Sequence, residues 1–226
     1  MFNLSALQIK KIDRYCASIL EFNKQINLTA ITDMEMFHVK HVVDSLACLN
    51  EPEYVKAKII ADMGTGAGFP GIPLAIASPD KEFVLIDSLA KRLKIIDELC
   101  KELDIKNVKT LHGRAEDIGQ NTAYREKFDL SVSRAVARLD ILSEWCLPLL
   151  KVGGSLIAFK GMKAELEVEE AKRAIEILGG RIERIEEYKG DELEINKHAL
   201  VIINKIKHTP SKYPRKPGKA KEQPIK

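Results

Sequence analysis

Apolar residues in the first fifty positions recur every three or four residues, a spacing that predicts helices. The first predicted helix carries the apolar stripe Ile12, Tyr15, Cys16, Ile19 and Phe22. The second is predicted to begin at Thr32, with Glu35 completing a capping box, and to carry the stripe Met36, Val39, Val43 and Leu46. Its opposite face holds His38, His41 and Ser45, and we expect that polar face to pack over a ligand crevice. Residues 1–50 are therefore predicted to form an N-terminal helical extension.

From residue 58 onward, short apolar runs alternate with helical stripes. Strands are predicted at residues 58–62, 82–87, 107–111, 127–133, 154–160, 181–188 and 197–205. Helices are predicted near residues 71–78, 88–103, 138–150 and 163–178. This alternation is typical of a mostly parallel α/β sheet covered on both faces. Only Gly190-Asp-Glu separates the last two strands, so residues 51–206 are predicted to form one seven-stranded sheet domain closed by an antiparallel hairpin, the topology of class I methyltransferases.

A glycine-rich loop, Asp62-Met-Gly-Thr-Gly-Ala-Gly-Phe-Pro-Gly71, joins the first predicted strand to the helix after it. The template D-x-G-x-G-x-G of S-adenosylmethionine (SAM) enzymes fits at Asp62, Gly64, Gly66 and Gly68. The dinucleotide template G-x-G-x-x-G fits only from Gly66, and Pro70 then removes an N–H donor that a pyrophosphate needs. The pattern favours SAM, with a nicotinamide-dependent oxidoreductase as the alternative.

Polar residues follow the ends of the other predicted strands, where ligands of such sheets bind. Asp87 ends the second strand and is predicted to accept hydrogen bonds from both ribose hydroxyls; the alternative is a helix N-cap that it shares with Ser88. After the third strand, Ala115 can offer its amide to adenine, and Glu116 or Asp117 can accept from the exocyclic amine. The fourth and fifth strands are followed by the cations Arg134, Arg138 and Lys160.

The charge of the chain is distributed unevenly. Residues 205–226 carry eight lysines and arginines against Glu222, a net of +7, so the total of +3 leaves −4 for residues 1–204. A basic segment rich in proline and glycine, residues 207–226, points to a polyanionic partner; the alternative is a solvated tail that keeps the protein soluble. Lys91 and Arg92 fall in the first turn of a predicted helix, where cations oppose the helix dipole. This position indicates either an RNA phosphate beside them or side chains that bend outward to solvent.

Several classes of protein are disfavoured by what the sequence lacks. The four cysteines stand far apart without a C-x-x-C motif, which predicts reduced thiols in a cytoplasmic protein. The chain shows no signal-peptide pattern, and its longest uncharged stretch is broken by glycine and proline, so we expect no membrane segment. No H-E-x-x-H spacing completes a site around His38 and His41, so we expect no metal.

Six motifs occur in order along the chain: Asn23-Lys-Gln-Ile-Asn-Leu-Thr29, His41-Val-Val-Asp-Ser-Leu46, the glycine-rich loop Asp62–Gly71, Asp87-Ser-Leu-Ala-Lys-Arg92, Ser133-Arg-Ala-Val136 and Tyr213-Pro-Arg-Lys-Pro-Gly218. Together they resemble the small-subunit ribosomal RNA methyltransferase G family, also called glucose-inhibited division protein B. The resemblance implies a Rossmann-like class I methyltransferase, cytoplasmic and bacterial, that methylates N7 of one guanine in 16S rRNA. Two departures are Phe22, where the family usually has tryptophan, and the altered motif Gly218–Pro224 in the C-terminal segment.

Carried over by motif, the resemblance implies SAM contacts at Gly64, Phe69, Asp87, Ser88, Leu89, Ala115, Glu116 and Arg134. Arg134 and Lys160 are expected to be the catalytic residues, which hold the target base and its phosphates. Further RNA contacts are expected at Lys91, Arg92, Arg138, Lys212, Arg215 and Lys216. We expect a monomer whose partner is 16S rRNA or the small ribosomal subunit.

The residues themselves agree with N7 chemistry by exclusion. The segment after the fourth predicted strand, Ser133-Arg-Ala-Val136, lacks the proline and the aromatic residue of enzymes that methylate exocyclic amines. Methylation at C5 of a pyrimidine needs a cysteine nucleophile near the site, whereas Cys146 lies well inside a helical pattern. Guanine N7 loses no proton when alkylated, so the reaction needs positioning and no general base. A non-catalytic RNA-binding factor with the same fold is the alternative; its signature would be a damaged cofactor loop, and this loop is complete.

Overall fold

The computed structural model describes residues 3–26, 34–188 and 198–226, which fold around one seven-stranded sheet. Its strands are β1 (Ile59–Met63), β2 (Glu82–Asp87), β3 (Val108–His112), β4 (Phe128–Arg134), β5 (Leu150–Lys160), β6 (Gly180–Tyr188) and β7 (His198–Lys205). The strand order is β3-β2-β1-β4-β5-β7-β6. Strands β1 to β5 pair in parallel, whereas β7 runs antiparallel to β5 and β6. The predicted fold is confirmed, and the predicted turn Gly190-Asp-Glu lies outside the described residues.

Helices cover both faces of the sheet. They are α1 (Ala6–Ile26), α2 (Met34–Phe37, His38–Val43 and Asp44–Leu46), α3 (Pro52–Lys56), α4 (Gly71–Ala77), α5 (Ala90–Glu102), α6 (Ala115–Gln120), α7 (Leu139–Cys146), α8 (Ala164–Ile177) and α9 (Lys219–Glu222). Helices α1 to α5 share one apolar layer with sheet residues such as Ile60. Helices α6 to α9 share the other layer with residues such as Ala61, because successive side chains of a strand point to opposite faces.

Helix α2 differs from its predicted packing. Its middle segment, His38–Val43, is a π-helix, whose wider turn shifts the inward face relative to a regular α-helix. Phe37 and Val42 are therefore buried, whereas Met36, which was predicted to belong to the apolar stripe, is 45% exposed. Leu46 is buried as expected. The predicted start at Thr32 lies outside the described residues.

Two helices and two element boundaries also depart from the predictions. Helices α3 and α6 were not predicted, because six residues or fewer are too short to show a helical period. Strand β5 begins at Leu150 rather than residue 154, since Gly153, with φ +92°, lies within the strand instead of ending a turn before it. Helix α7 ends at Cys146, and a 3₁₀ turn containing Pro148 follows it.

The C-terminal segment, defined as residues 207–226, packs against the sheet domain. Tyr213 and Ala220 are buried in the apolar layer formed by α6, α7 and α8. The guanidinium of Arg125 donates to the carbonyls of Thr209 and Tyr213 at 2.8 and 2.7 Å. The solvated tail that was the alternative for this segment is therefore not what the structure contains.

No described helix combines the length and the apolar composition that a membrane crossing requires. The four cysteines Cys16, Cys48, Cys100 and Cys146 are all buried, and none forms a disulfide.

Candidate active site

A crevice opens at the carboxyl ends of the parallel strands, bordered by the glycine-rich loop between β1 and α4. The loop passes very close to its neighbours. Gly64 has φ +72°, and a Cβ there would lie 2.5 Å from a methyl of Val136. Gly68 has φ +86°, and a Cβ there would lie 2.2 Å from the hydroxyl of Tyr15. Glycine is required at both positions, because other residues strain in this backbone region and no space remains for a side chain.

Asp62 fixes the loop from its buried side. One carboxylate oxygen, Oδ2, accepts hydrogen bonds from the Thr65 hydroxyl at 2.6 Å and the Gly71 amide at 2.9 Å. The other, Oδ1, has no partner among the described residues, and burial raises the pKa of the carboxyl to about 6. Asp62 was predicted to bind the cofactor, but its side chain is fully buried and does not line the crevice. Its role in this geometry is to shape the loop.

The crevice has two chambers that meet at Gly64 and Val136. The smaller chamber, of about 410 Å³, lies beside β2 and α6 and is lined by Asp87, Ser88, Leu89, Ala115, Glu116 and Trp145, among others. The larger chamber, of about 880 Å³, lies between the loop and α2, and its lining includes Gly66, Phe69, Arg134, Arg138 and Lys160. The structure thus brings most of the predicted cofactor residues to the smaller chamber and the predicted catalytic cations to the larger one.

Asp87 lies at the end of β2 with its carboxylate toward the loop. Its Oδ2 accepts the Gly66 amide at 2.9 Å, and its Oδ1 accepts the Leu89 amide at 2.8 Å. The alternative of a helix N-cap is not observed, because α5 begins at Ala90 and its N-cap residue, Leu89, makes no side-chain capping bond. A carboxylate has about four acceptor positions, so two amides leave capacity for the hydroxyls of a ribose.

Arg134, at the end of β4, joins the sheet to helix α2. Its Nη1 donates to the Lys40 carbonyl at 2.9 Å and to Oδ2 of Asp44 at 2.7 Å. Its Nη2 lies 2.8 Å from Nδ1 of His41, and its guanidinium carbon lies 5.7 Å from the centre of the Phe69 ring. Arg134 is therefore fixed in place at the wall of the larger chamber.

His41 is neutral at this wall. Burial, followed by the nearby Arg134 cation, lowers the pKa of its imidazole to about 4. Since a guanidinium can only donate, Nδ1 of His41 accepts and the proton resides on Nε2. The imidazole also stacks on the Phe69 ring, with centroids 5.0 Å apart. The polar face predicted for α2 thus reaches the crevice at His41, whereas His38 turns away and pairs with Asp13.

Lys160 is less available than predicted. Its ammonium donates to the Ala137 carbonyl and to Oε2 of Glu167, both at 2.7 Å, and its side chain is almost fully buried. Two of its three N–H groups are thereby used within the protein. Arg138 is exposed and pairs with Asp140 and Glu170 at the rim. Both residues line the larger chamber.

The predicted RNA-binding residues divide into two groups. Lys91, Lys212 and Lys216 are exposed, and Arg92 lies at the border of both chambers with Nη1 3.8 Å from Asp87. Arg215, in contrast, forms an ion pair with the buried Glu144, with Nη2 to Oε2 at 2.5 Å and Nε to Oε1 at 2.9 Å. The RNA contact predicted for Arg215 is therefore replaced by an internal one, because a buried carboxylate needs a charged partner.

Sequence reasoning missed several residues that complete the site. Asp44 is buried and accepts hydrogen bonds from the Tyr188 hydroxyl and from Nδ1 of His198 as well as from Arg134. Its signal in the sequence was its place in the motif His41-Val-Val-Asp-Ser-Leu46, three residues after His41. Trp145 and Lys221 line the smaller chamber but come from α7 and the C-terminal segment, which no spacing relates to the cofactor loop.

The geometry fits SAM better than a dinucleotide. The N-terminus of α4 offers few free N–H donors to a pyrophosphate, because Pro70 has no N–H and the Gly71 amide already donates to Asp62. The remaining acceptor capacity of Asp87 instead suits a nucleoside, and two adjoining chambers suit a ligand with two ends. The described residues contain no group of three histidine, cysteine or acidic side chains that could hold a metal ion.

Comparison with known proteins agrees with this geometry. Residues 8–196 match the GidB family, described as rRNA small subunit methyltransferase G. A protein of that name, ribosomal RNA small subunit methyltransferase G from Clostridium tetani, is 50% identical over 94% of this chain and 89% of its own length. Among solved structures, M. jannaschii TYW2 in complex with AdoMet has a TM-score of 0.52 at 18% identity over 66% of this chain and 69% of its own. A putative O-methyltransferase from Klebsiella pneumoniae has a TM-score of 0.56 at 16% identity over 85% and 90% of the two chains.

Proposed function

Because the chain belongs to the rRNA small subunit methyltransferase G family, we propose that it is a SAM-dependent enzyme that methylates N7 of a specific guanine in 16S rRNA. The observation that carries this proposal is the 50% identity to a methyltransferase G that extends over 94% of the chain. The complete glycine loop supports catalysis over a non-catalytic binding role, because a factor that had lost catalysis would be expected to have a damaged cofactor loop.

The cofactor would lie across both chambers. Bound SAM supplies an electrophilic methyl group on a sulfonium. Asp87 would accept the ribose hydroxyls, and Ala115 and Glu116 would contact the adenine in the smaller chamber. The loop from Gly64 to Phe69, together with Arg134, would hold the amino-acid end beside the larger chamber. Gly66 contributes indirectly, because its amide orients the Asp87 carboxylate.

The larger chamber suits a reaction that needs placement more than proton transfer. Guanine N7 reacts through a lone pair and releases no proton, so the protein has to orient the base and align it with the methyl group. His41 presents no free lone pair as a base, since its Nδ1 already accepts from Arg134. Arg134 and Lys160 are paired with Asp44 and Glu167 in this lining, but the lining holds more cations than carboxylates, and this positive wall favours a phosphate or a purine oxygen.

Exposed cations extend this wall toward the surface. Lys40, Arg92 and Arg138 line the larger chamber, and Lys91 lies exposed beside Arg92. A line of cations along a crevice attracts the phosphate backbone of RNA and guides it toward the reacting atom. We propose that the substrate is the 16S rRNA of the small subunit, that the enzyme therefore acts in the cytoplasm, and that one copy of the chain suffices.

The test is transfer of tritium from labelled SAM to RNA. Purified protein should label 16S rRNA at one guanine, either as free RNA or within small subunits. Borohydride and aniline treatment should then cleave the chain at that guanine only when protein and SAM were both present, because N7-methylguanine carries a fixed positive charge. Label recovered as N6-methyladenine or C5-methylcytosine would overturn the N7 assignment. RNA binding without transfer would favour the non-catalytic factor, and thermal stabilisation by NAD instead of SAM would favour the oxidoreductase.

A further inference from the structure

The outer wall of the smaller chamber is built by the C-terminal segment. Gly218 and Lys221 line this chamber together with Asp87 and Glu116, although they lie about a hundred residues further along the chain. The Gly218 amide donates to Oε1 of Glu116 at 3.2 Å. Glu116, the residue expected to contact adenine, is therefore held by a backbone group of this segment.

The segment is anchored firmly enough to act as a wall. Glu144 is almost fully buried and accepts three hydrogen bonds from the side chain of Arg215 and one from its amide. Gln120 on α6 donates to the carbonyls of Ser211 and Pro214 at 3.1 and 2.7 Å. Pro214 also packs so tightly on α6 that a Cβ at Gly119 would lie 2.7 Å from its ring. These contacts fix the segment against helices α6 and α7.

Trp145 connects the segment to the chamber interior. It is the only tryptophan of the chain, it is 7% exposed, and its indole N–H has no hydrogen-bond partner in the part of the chain that the structure describes. The ammonium of Lys221 lies 5.4 Å from the centre of its ring. The indole ring therefore links Lys221 of the C-terminal segment to the lining of the chamber.

We propose that the C-terminal segment is part of the cofactor site, closing the adenine side of the crevice through Gly218, Lys221 and the Trp145 indole beneath them. This inference rests on the proposed function, because it takes SAM as the ligand. It assigns Gly218 and Lys221 a role separate from RNA attraction: Gly218 positions Glu116, and Lys221 completes the wall of the chamber. Loss of these residues should therefore weaken cofactor binding even in the absence of RNA.

The test measures binding of S-adenosylhomocysteine, the product form of the cofactor, by calorimetry without RNA. A variant that ends at Pro217 removes Gly218, Ala220 and Lys221 but keeps Arg215 beside Glu144. We expect its affinity to fall by at least about tenfold, since a charge-assisted hydrogen bond at Glu116 and a wall of the chamber are lost. In the full chain, the ligand should also change the fluorescence of Trp145, which reports on this chamber alone.

Two point variants keep the inference testable if the shortened chain is unstable. Lys221→Ala removes a cation from the chamber wall, whereas Lys219→Ala removes an equal charge from the same short helix α9, where Lys219 pairs with Glu222 outside the chamber. We expect Lys221→Ala to weaken binding by about threefold or more, and Lys219→Ala to leave it unchanged. Unchanged affinity in a folded shortened chain, or in Lys221→Ala where the shortened chain does not fold, would overturn the inference while leaving the function intact. Failure of the full chain to bind the ligand would overturn the proposed function instead.

Discussion

Asp87 is the residue at which the proposed cofactor site can be tested most directly. Its carboxylate already orients two backbone amides, those of Gly66 and Leu89, so any ribose hydroxyl would bind to a group that the protein has fixed in place. We predict that Asp87→Ala weakens SAM binding by at least tenfold, because charge-assisted hydrogen bonds contribute on the order of 1.5–3 kcal/mol. Titration calorimetry of the purified variant measures this change.

The matched control for Asp87 lies at the other end of the same strand. Glu82 begins β2, is exposed, and lies far from both chambers, so Glu82→Ala removes the same charge without touching the crevice. We expect its affinity for SAM to equal that of the unmodified chain. If Asp87→Ala folds normally and binds SAM as tightly as Glu82→Ala does, the ribose assignment is wrong.

The individual residues also show which roles a sequence can reveal. The positions of Asp87 and Arg134 at strand ends were predictable, because the fold brings those ends to one edge. The partner of Arg134 was not predictable, because Asp44 belongs to a helix whose π-helical segment changes which residues face inward. Glu144 likewise reads as an ordinary acid in a helix, and only the folded chain shows that it is buried beside Arg215.

At the level of elements, the glycine loop depends on how closely it approaches its neighbours. Gly64 and Gly153 both have positive φ, so alanine at either position strains the backbone by about 1–2 kcal/mol. Only at Gly64 does the added Cβ also meet Val136, whereas nothing lies within 4 Å of a Cβ at Gly153. We predict that Gly64→Ala lowers the free energy of unfolding by about 1–3 kcal/mol more than Gly153→Ala does, as overpacking adds to strain.

Urea denaturation of the two variants gives this difference, and a double variant identifies its cause. Val136→Ala removes the methyl groups that the new Cβ would meet. Combined with Gly64→Ala, it should recover part of the lost stability. The double variant should then lose less free energy of unfolding than the sum of the losses in the two single variants. Equal losses for Gly64→Ala and Gly153→Ala would mean that the loop relaxes away from Val136 and is not held as tightly as the structure indicates.

The elements differ in how far the sequence determines them. Strands β1 to β4 and the longer helices α5 and α8 were predicted within two residues at each end. Their apolar residues recur over enough positions to identify a strand or a helix by its period. Short helices and irregular ones were not, since α6 has six residues and α2 changes its hydrogen-bond pattern. The C-terminal segment shows a third case. Its composition predicts a basic segment for a polyanionic partner, or alternatively a solvated tail, and does not reveal the hydrogen bonds with Arg125, Gln120 and Glu144 that hold it on the sheet domain.

At the level of the whole molecule, the cations of the basic C-terminal segment lie in two different environments. Lys212 and Lys216 extend into solvent and remain available to a phosphate backbone, while Arg215 between them is committed to Glu144. Charge alone does not separate these residues, because each contributes one positive charge to the same short stretch. Their burial and their partners separate them. Substitutions that remove the same charge should therefore affect RNA binding at Lys212 and Lys216 but stability at Arg215.

We predict that Lys212→Gln combined with Lys216→Gln flattens the salt dependence of rRNA binding, since each lost phosphate contact reduces the log–log slope by roughly 0.7–0.9. The melting temperature should stay unchanged, because both side chains are exposed. Arg215→Gln should instead leave the slope unchanged and lower the free energy of unfolding by about 1–3 kcal/mol, because Glu144 would remain buried without its cation. Filter binding over a series of salt concentrations and urea denaturation of the same samples measure both quantities. A flatter slope for Arg215→Gln at unchanged stability would show that this arginine leaves Glu144 to contact RNA.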